Sequence, residues 1–416
     1  MIAIKKYLFR KEVLNFVNYY IFTIINAGIA IISISYLTKH IPPEDYGRIG
    51  IFSSILFFMP SLVAFCANGL QAIEIVDLGQ EEYLKFRNQY ISFVLLNTLF
   101  FSALAGLLSF LIPEFSFVII TATLMGLVQT FSNVHNTELF QHSQATRFGL
   151  ISSATVLLSF LLTFIFISGF KLDWKYRILA LLFSEFIIVI FRFYGLSSIG
   201  ANFKFSLNKS QFKYFLYYGA PLIFSMFAGW VINQSDRFFL LHFFSLREVG
   251  IYAAAASIAS FIALINGNMS KVIYPVVFQK LNKREGKRFI LKITFLYSII
   301  ILVITAFFCL GIHLFGGLFL GKKYVDAFPI IYIMCFGQAF FGIYTTTGMV
   351  IDYFKKTKLK TMLITIGAVL IIILSFVMTP IIGISGPALA ALISFIFLAF
   401  GSFVITRNLF NTYKVI

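Results

Sequence analysis

A few ionisable side chains and a scatter of amides sit where apolar sequence should exclude them. Asp236 and Arg237 interrupt the run YGAPLIFSMFAGWVINQSDRFFLLHFF. A charge at the centre of a membrane helix costs roughly 2.5–3.5 kcal/mol on insertion scales, so the pair calls for a function or a specific partner. The planar guanidinium of Arg237 can give two parallel hydrogen bonds to an oxyanion. Asp236 can orient that arginine or carry a cation, and Asn233 widens the polar face. Adjacent residues of a continuous helix project about 100° apart, so the pair is not expected to face one another squarely. Each is expected to find its partner elsewhere.

Glu185 is a solitary carboxylate deep in a second apolar run. With Asp236 it is the candidate for coupling to H+ or Na+. Arg192 shares its helix face but lies about 10.5 Å further along the axis, too far for a bridge. Arg192 is expected to extend towards the nearer membrane surface. A third run, GLVQTFSNVHNTELFQHSQATR, carries Gln129, Asn133, Asn136 and Glu138 as a polar ladder. Such a ladder either ties helices together by hydrogen bonds or, with Arg192, lines the cytoplasmic mouth of a cavity. Asn26, Asn68, Asn266 and Asn268 carry the same two readings, structural tie or cavity wall. His135 and His142 lie about 10.5 Å apart along a helix axis and form no HExxH, so no metal site is expected. Cys66, Cys309 and Cys335 match neither a disulfide framework nor a metal pattern. No cofactor is implied.

The elements that position these residues follow from composition. Hydrophobic residues make up 60% of the 416 and charged ones 12%, far outside soluble norms. Apolar runs recur, each long enough to cross ~30 Å of hydrocarbon as a helix. Twelve spans are expected: 13–38, 47–72, 88–112, 115–138, 148–170, 176–199, 215–243, 248–275, 289–315, 328–350, 358–379 and 385–407. The weakest separations are at Pro113–Phe115 and Thr379–Ser385. The first run is too long for a signal-peptide core and is expected to remain as a helix. The fold class is therefore an all-α polytopic membrane protein.

A net charge of +17 raises nucleic acid as a partner, but the placement of the charge argues against it. With the N-terminus inside, cytoplasmic segments hold 24 of the 33 Lys and Arg and external segments hold nine. This is the positive-inside pattern, which puts both termini in the cytoplasm and leaves a smaller role for anionic lipid.

The chain also reads as a duplication. Shifting the second half back by 203 residues places Leu240 on Leu37, Glu248 on Asp45 and Gly250 on Gly47. The same shift places Leu281 on Leu78, Glu285 on Glu82 and Phe289 on Phe86. Beyond an insertion near FLGKKYVDAFP the shift becomes 211, pairing Gly337 with Gly126 and Lys358 with Arg147. A six-helix unit starts and ends on one side, so its copy inserts in the same orientation, related by an axis along the membrane normal. The expected organisation is a lobe at 1–199, a cytoplasmic linker at 200–214 and a lobe at 215–416. The linker lies in the polar, basic stretch SSIGANFKFSLNKSQ.

Two stretches carry a family resemblance. YLTKHIPPEDYGRIGIFSSILFFMPSLVAFCANGLQAIEI resembles the first loop and second helix of polysaccharide-exporting flippases. NQSDRFFLLHFFSLREVGIYAAAAS resembles their seventh helix and the loop after it. The chain is similar to O-antigen and capsular repeat-unit flippases (Wzx-like) of the multidrug/oligosaccharidyl-lipid/polysaccharide superfamily, whose folds are MATE- and MurJ-like. The resemblance implies two six-helix bundles around a central cavity lined by helices 1, 2, 7 and 8. It implies export of an undecaprenyl-pyrophosphate-linked glycan across a bacterial inner membrane by alternating access, among membrane lipids and other polysaccharide-assembly proteins. Arg237, Asp236, Asn233, Asn26, Asn68, Asn266 and Asn268 are then the candidate substrate residues.

Two other functions compete. A cation-coupled drug exporter shares the superfamily fold but favours isolated acids over an arginine. A membrane glycosyltransferase or polymerase needs an extended external loop for its acid and base, and no external connection here is long enough. The charge distribution yields a direct test of orientation. A thiol introduced at Lys283 should resist a membrane-impermeant reagent in intact cells, and ready labelling there would reverse the topology.

Overall fold

The computed structural model describes residues 2–195, 203–282 and 286–413, with side chains from 18 to 192, 203 to 281 and 286 to 413. Lys283 and the linker residues 196–202 lie outside the described residues. Among those described there is helix but no strand. Without water in hydrocarbon each backbone group must be satisfied within its own segment, and a helix does this.

The helices are α1 (Ile2–His40), α2 (Pro43–Val63), α3 (Asn68–Asp77), α4 (Gln80–Leu111), α5 (Ser116–Gln141), α6 (Ala145–Phe164) and α7 (Trp174–Gly195). There follow α8 (Lys209–Gln234), α9 (Asp236–Phe243), α10 (Leu246–Asn282), α11 (Lys287–Phe319), α12 (Ala327–Tyr353), α13 (Thr357–Ile382) and α14 (Gly386–Thr412). Ten stretches of the described residues are long and apolar enough to cross a membrane, and one of them, Thr357–Thr412, contains both α13 and α14. Adding α7, which carries Lys175, Arg177, Glu185 and Arg192, gives the twelve expected crossings. The two weak separations are single 3-10 turns, at Pro113–Phe115 and Gly383–Ser385. Phe110, Tyr217 and Phe224 are more than four-fifths exposed, which is the surface a lipid-facing helix presents.

Two expected crossings are broken. The second divides into α2 and α3 because Pro60 interrupts the hydrogen-bond ladder and Phe65 and Cys66 adopt φ of +50° and +55°. Carbonyls beside the break accept from side chains of neighbouring helices, the Pro60 oxygen in addition to the Ala64 N–H at 3.1 Å. Asn97 Nδ2 reaches the Val63 oxygen at 3.2 Å, and Thr130 Oγ1 reaches that of Pro60 at 3.1 Å. The seventh crossing divides at Ser235 into α8 and α9. The third begins at Gln80 rather than 88, which moves Tyr83 and Arg87 from the expected loop onto buried helix.

Packing gathers the chain into two compact units. Residues 1–33 and 51–227 form one, and residues 34–50 with 228–416 form the other. The linker marks a covalent division, whereas packing assigns 203–227 to the first unit and 34–50 to the second. The first unit is built around Phe93, Tyr90, Phe86 and Phe215. The second has one cluster around Tyr344, Phe395 and Leu398 and another around Val277, Leu281 and Phe410. Within the second unit Tyr324 is fully buried and its hydroxyl donates to the Ile41 carbonyl at 2.9 Å. Burial, with Tyr46, Glu44 and Asp45 nearby, raises the Tyr324 hydroxyl above its usual range and keeps it a donor.

The turn between α2 and α3 depends on α8. A methyl group on Gly219 would lie 1.8 Å from the Phe65 carbonyl oxygen. Gly219→Ala should therefore destabilise the protein by about 1–3 kcal/mol through overpacking. Thermal unfolding in detergent reads this, and an unchanged midpoint would show that α8 yields freely.

Candidate functional site

The break at Ser235 shapes the pocket of the second unit. The Ser235 backbone N–H reaches Val231 only at 3.4 Å, while its hydroxyl donates to the same oxygen at 2.6 Å. A helix then restarts at Asp236, and its first amides lack intrahelical acceptors. Asp236 Oδ1 accepts the Arg237 N–H at 2.9 Å, placing a carboxylate at the positive end of the α9 dipole.

Arg237 Nη1 lies 3.6 Å from the same carboxylate and donates to Gln234 Oε1. The expectation that adjacent residues could not pair is therefore corrected. Both residues open α9, and the long Arg237 side chain reaches back to Asp236 and Gln234. Arg237 is only 8% exposed, and its Nε has no hydrogen-bond partner.

The guanidinium opens into a pocket of about 320 Å³. Asn233, Gln234, Asp236 and Arg237 line it from α8 and α9, Ser257 and Ser260 from α10, Gln338 from α12 and Phe395 from α14. Small-molecule sites run from ~300 to 1,000 Å³, so this pocket lies at the lower end of that range. Of the candidate residues it brings together Asn233, Asp236 and Arg237. Sequence reasoning missed Gln234, Gln338, Ser257 and Ser260. The two glutamines, each within an apolar run, carried the only available signal.

The remaining asparagines lie elsewhere. Asn266 is committed between helices: its amide donates to the Gln338 carbonyl at 2.6 Å and accepts from Tyr297 at 2.8 Å. Asn26 joins α1 to α6 through Ser152 and Ser153, at 3.0 and 2.7 Å. Asn68 accepts from Tyr90 at 2.9 Å. Asn268 is half-buried and outside the pocket lining.

The first unit holds a second, denser polar cluster. Tyr83 donates to Glu138 Oε1 at 2.8 Å, and Arg87 Nη1 lies 3.5 Å from the same oxygen. Gln71 donates to the Tyr83 hydroxyl at 3.0 Å and to the Val134 carbonyl at 2.8 Å. His135 Nδ1 is 3.9 Å from Glu138 Oε2. One turn away Ser132 serves two partners. Its hydroxyl donates to Glu185, and its carbonyl accepts from Arg192 at 2.9 Å.

Two expectations change as a result. Glu185 is not solitary, because α5 brings a hydroxyl to it. Arg192 does not reach for the membrane surface, because it is 6% exposed and bonded to the α5 backbone. The α5 ladder also divides between faces. Gln129, Asn133 and Asn136 are more exposed, whereas Ser132, His135 and Glu138 are buried. No group of three or more metal-ligating side chains occurs among the described residues.

With this geometry in hand, the relatives can be compared. A family profile described as polysaccharide biosynthesis protein matches residues 13–281, more than half of the chain. The chain belongs to that family. Lsg locus putative protein 1 of Haemophilus influenzae is 23% identical over 257 residues, covering 60% of this chain and 62% of that protein. The match thus spans about three fifths of the curated relative. An inward-facing MATE multidrug transporter of the MOP superfamily superposes with a TM-score of 0.71 at 15% identity, over 94% of this chain and 95% of that one. The lipid II flippase MurJ in an inward-closed conformation gives 0.69 at 17% identity, over 94% and 87%. At such identities the likeness shows the fold, and that fold is the one expected from the sequence.

In this family member the Arg87–Glu138 pair is deeply buried, with side chains 6% and 3% exposed. Removing one partner of such a pair typically costs about 3–5 kcal/mol, because the other charge is left without its counterpart. Arg87→Leu should sharply reduce thermal stability in detergent, and Arg87→Leu with Glu138→Leu should recover part of the loss. Equal stability of the single and double variants would show that the two groups are uncoupled.

Proposed function

We propose that this member of the polysaccharide biosynthesis family is a flippase, not an enzyme. It moves an undecaprenyl-pyrophosphate-linked oligosaccharide of the O-antigen or capsule type across a bacterial cytoplasmic membrane. The single observation carrying this reading is the buried Arg237 guanidinium, held by Asp236 and Gln234 in the lining of a polar pocket. A fixed cation in a low-dielectric pocket attracts a pyrophosphate strongly, and the arginine fork matches phosphate oxygens. Asp236 and Gln234 hold the guanidinium when no anion is present and compete with the anion for it, which permits release.

In this reading lobes 1–199 and 215–416, joined at 200–214, alternate access with both termini in the cytoplasm. Asn233 contributes to the same pocket. Gln129, Asn133 and Asn136 form the cytoplasmic approach. The drive is exchange of H+ or Na+ at Asp236 or Glu185. Should Asp236→Asn and Glu185→Gln both leave the pH and sodium dependence of transport unaltered, that drive lies elsewhere.

Drug export is the second reading, favoured by Asp236, a carboxylate in the same pocket that suits a cationic ligand. Substitutions separate the two. Arg237→Ala should abolish glycan export at near-normal membrane abundance, and Arg237→Lys should retain a fraction of it, having the charge but not the fork. Wild-type export by an abundant Arg237→Ala protein would refute the pyrophosphate role. Cation efflux that depends on Asp236 alone would instead identify a drug exporter.

A further inference from the structure

Repeat-related residues meet one another where α2 and α10 begin. A methyl on Gly47 would lie 2.1 Å from the Leu246 carbonyl oxygen, and one on Gly250 would lie 1.8 Å from that of Pro43. Gly47 and Gly250, like Pro43 and Leu246, are separated by the same 203-residue shift that revealed the duplication. The contact is therefore its own image, as in an isologous interface. One turn further on, a methyl on Gly50 would stand 2.8 Å from the Ala253 methyl, a third pair with that shift. The same position is 3.8 Å from Cδ and Nε of Arg237.

This seam is tight, and its glycine contacts are individually weak. At the glycines backbone meets backbone with no interlocking side chain, and single dispersion contacts are worth only ~0.1–0.2 kcal/mol. Hydrogen bonds near it run from Tyr324 to the Ile41 carbonyl at 2.9 Å, from the Gly321 N–H to Thr38 Oγ1 at 3.2 Å and from Lys39 Nζ to the Leu318 carbonyl at 2.8 Å. The seam also covers the pocket wall, since the buried Tyr46 hydroxyl lies 3.5 Å from Ser257 Oγ. Segment 34–50 packs with the second unit, while the flanking parts of α1 and α2 pack in the first.

We propose that the α2–α10 glycine seam is a releasable clasp and that Gly50 is a positioning residue for Arg237. Closed, the α2 backbone at Gly50 occupies the space beside the guanidinium and keeps it against Gln234 and Asp236. Open, it gives Arg237 room to turn towards an oxyanion and exposes Ser257. The inference rests on Arg237 as the receiving group, and its test separates the clasp from that role.

The test uses the full chain in detergent, with Cys66, Cys309 and Cys335 replaced by Ala and Ser257→Cys as reporter. A water-soluble maleimide reads exposure of the reporter. Gly47→Ala, which forces the seam apart, should speed labelling at least about fivefold. Gly50→Cys with Ala253→Cys should cross-link on oxidation, since disulfide Cβ atoms stand about 3.5–4.5 Å apart. The disulfide should slow reporter labelling and weaken binding of undecaprenyl pyrophosphate, each by at least about fivefold, with both restored by dithiothreitol. A pair that never cross-links, or labelling indifferent to both changes, would overturn the clasp. Loss of labelling on cross-linking, together with undecaprenyl pyrophosphate binding that the disulfide leaves unchanged, would refute Gly50 as a positioning residue. Labelling that responds as expected in a protein that does not bind undecaprenyl pyrophosphate in any state would leave the clasp standing and remove the pyrophosphate role.

Discussion

Inside hydrocarbon a carbonyl released from a helix has no water to turn to, and the two broken crossings show how this protein meets that constraint. At the α2–α3 turn the Val63 oxygen is taken up by Asn97, and Thr130 adds a second donor to the Pro60 oxygen, both reaching from neighbouring helices. At Ser235 the exposed amide is taken up locally by Asp236. The second solution has chemical consequences. It commits one carboxylate oxygen to the backbone and brings Arg237 alongside it, so the break itself creates the charged end of the pocket.

The two units use buried polar groups in different ways. In the first, Gln71, Tyr83, Arg87 and Glu138 form a connected network, and Ser132 joins Glu185 to Arg192 through its hydroxyl and its carbonyl. Such groups hold helices in register, although Arg192 Nε and His135 Nε2 are buried there without a hydrogen-bond partner. In the second, the guanidinium has one unpartnered nitrogen and an adjoining volume lined by amides and hydroxyls. Unsatisfied capacity beside open space is what a binding site requires. The adjoining pocket, more than the number of charges or of unpartnered nitrogens, directs the functional reading to α8, α9, α10, α12 and α14.

Family membership and site geometry bear on different parts of the reading. The profile match establishes a polysaccharide biosynthesis family, and the MATE and MurJ superpositions establish a fold like theirs. They do not name the cargo, because one fold serves unlike substrates. The cargo reading comes from Arg237 and its pocket, and it stands or falls with that residue.

The sequence by itself determined the twelve crossings, the duplication and the place of the Asp–Arg element within an apolar run. Hydrophobic length, the placement of Lys and Arg, and the 203-residue echo are properties of the chain taken in order. It did not determine which amides face a pocket. Asn266 and Gln338 are equally polar residues in equally apolar runs, yet one is spent tying α10 to α11 and α12 while the other lines the cavity. Arg87 was illegible for another reason, since reading 80–87 as loop hid its burial against Glu138. Nor could the echo of Gly47 in Gly250 reveal that the two glycines touch. Periodicity fixes where a helix runs, but a side chain's role depends on which neighbours the other helices bring within about 3 Å of it, and only the tertiary structure decides that.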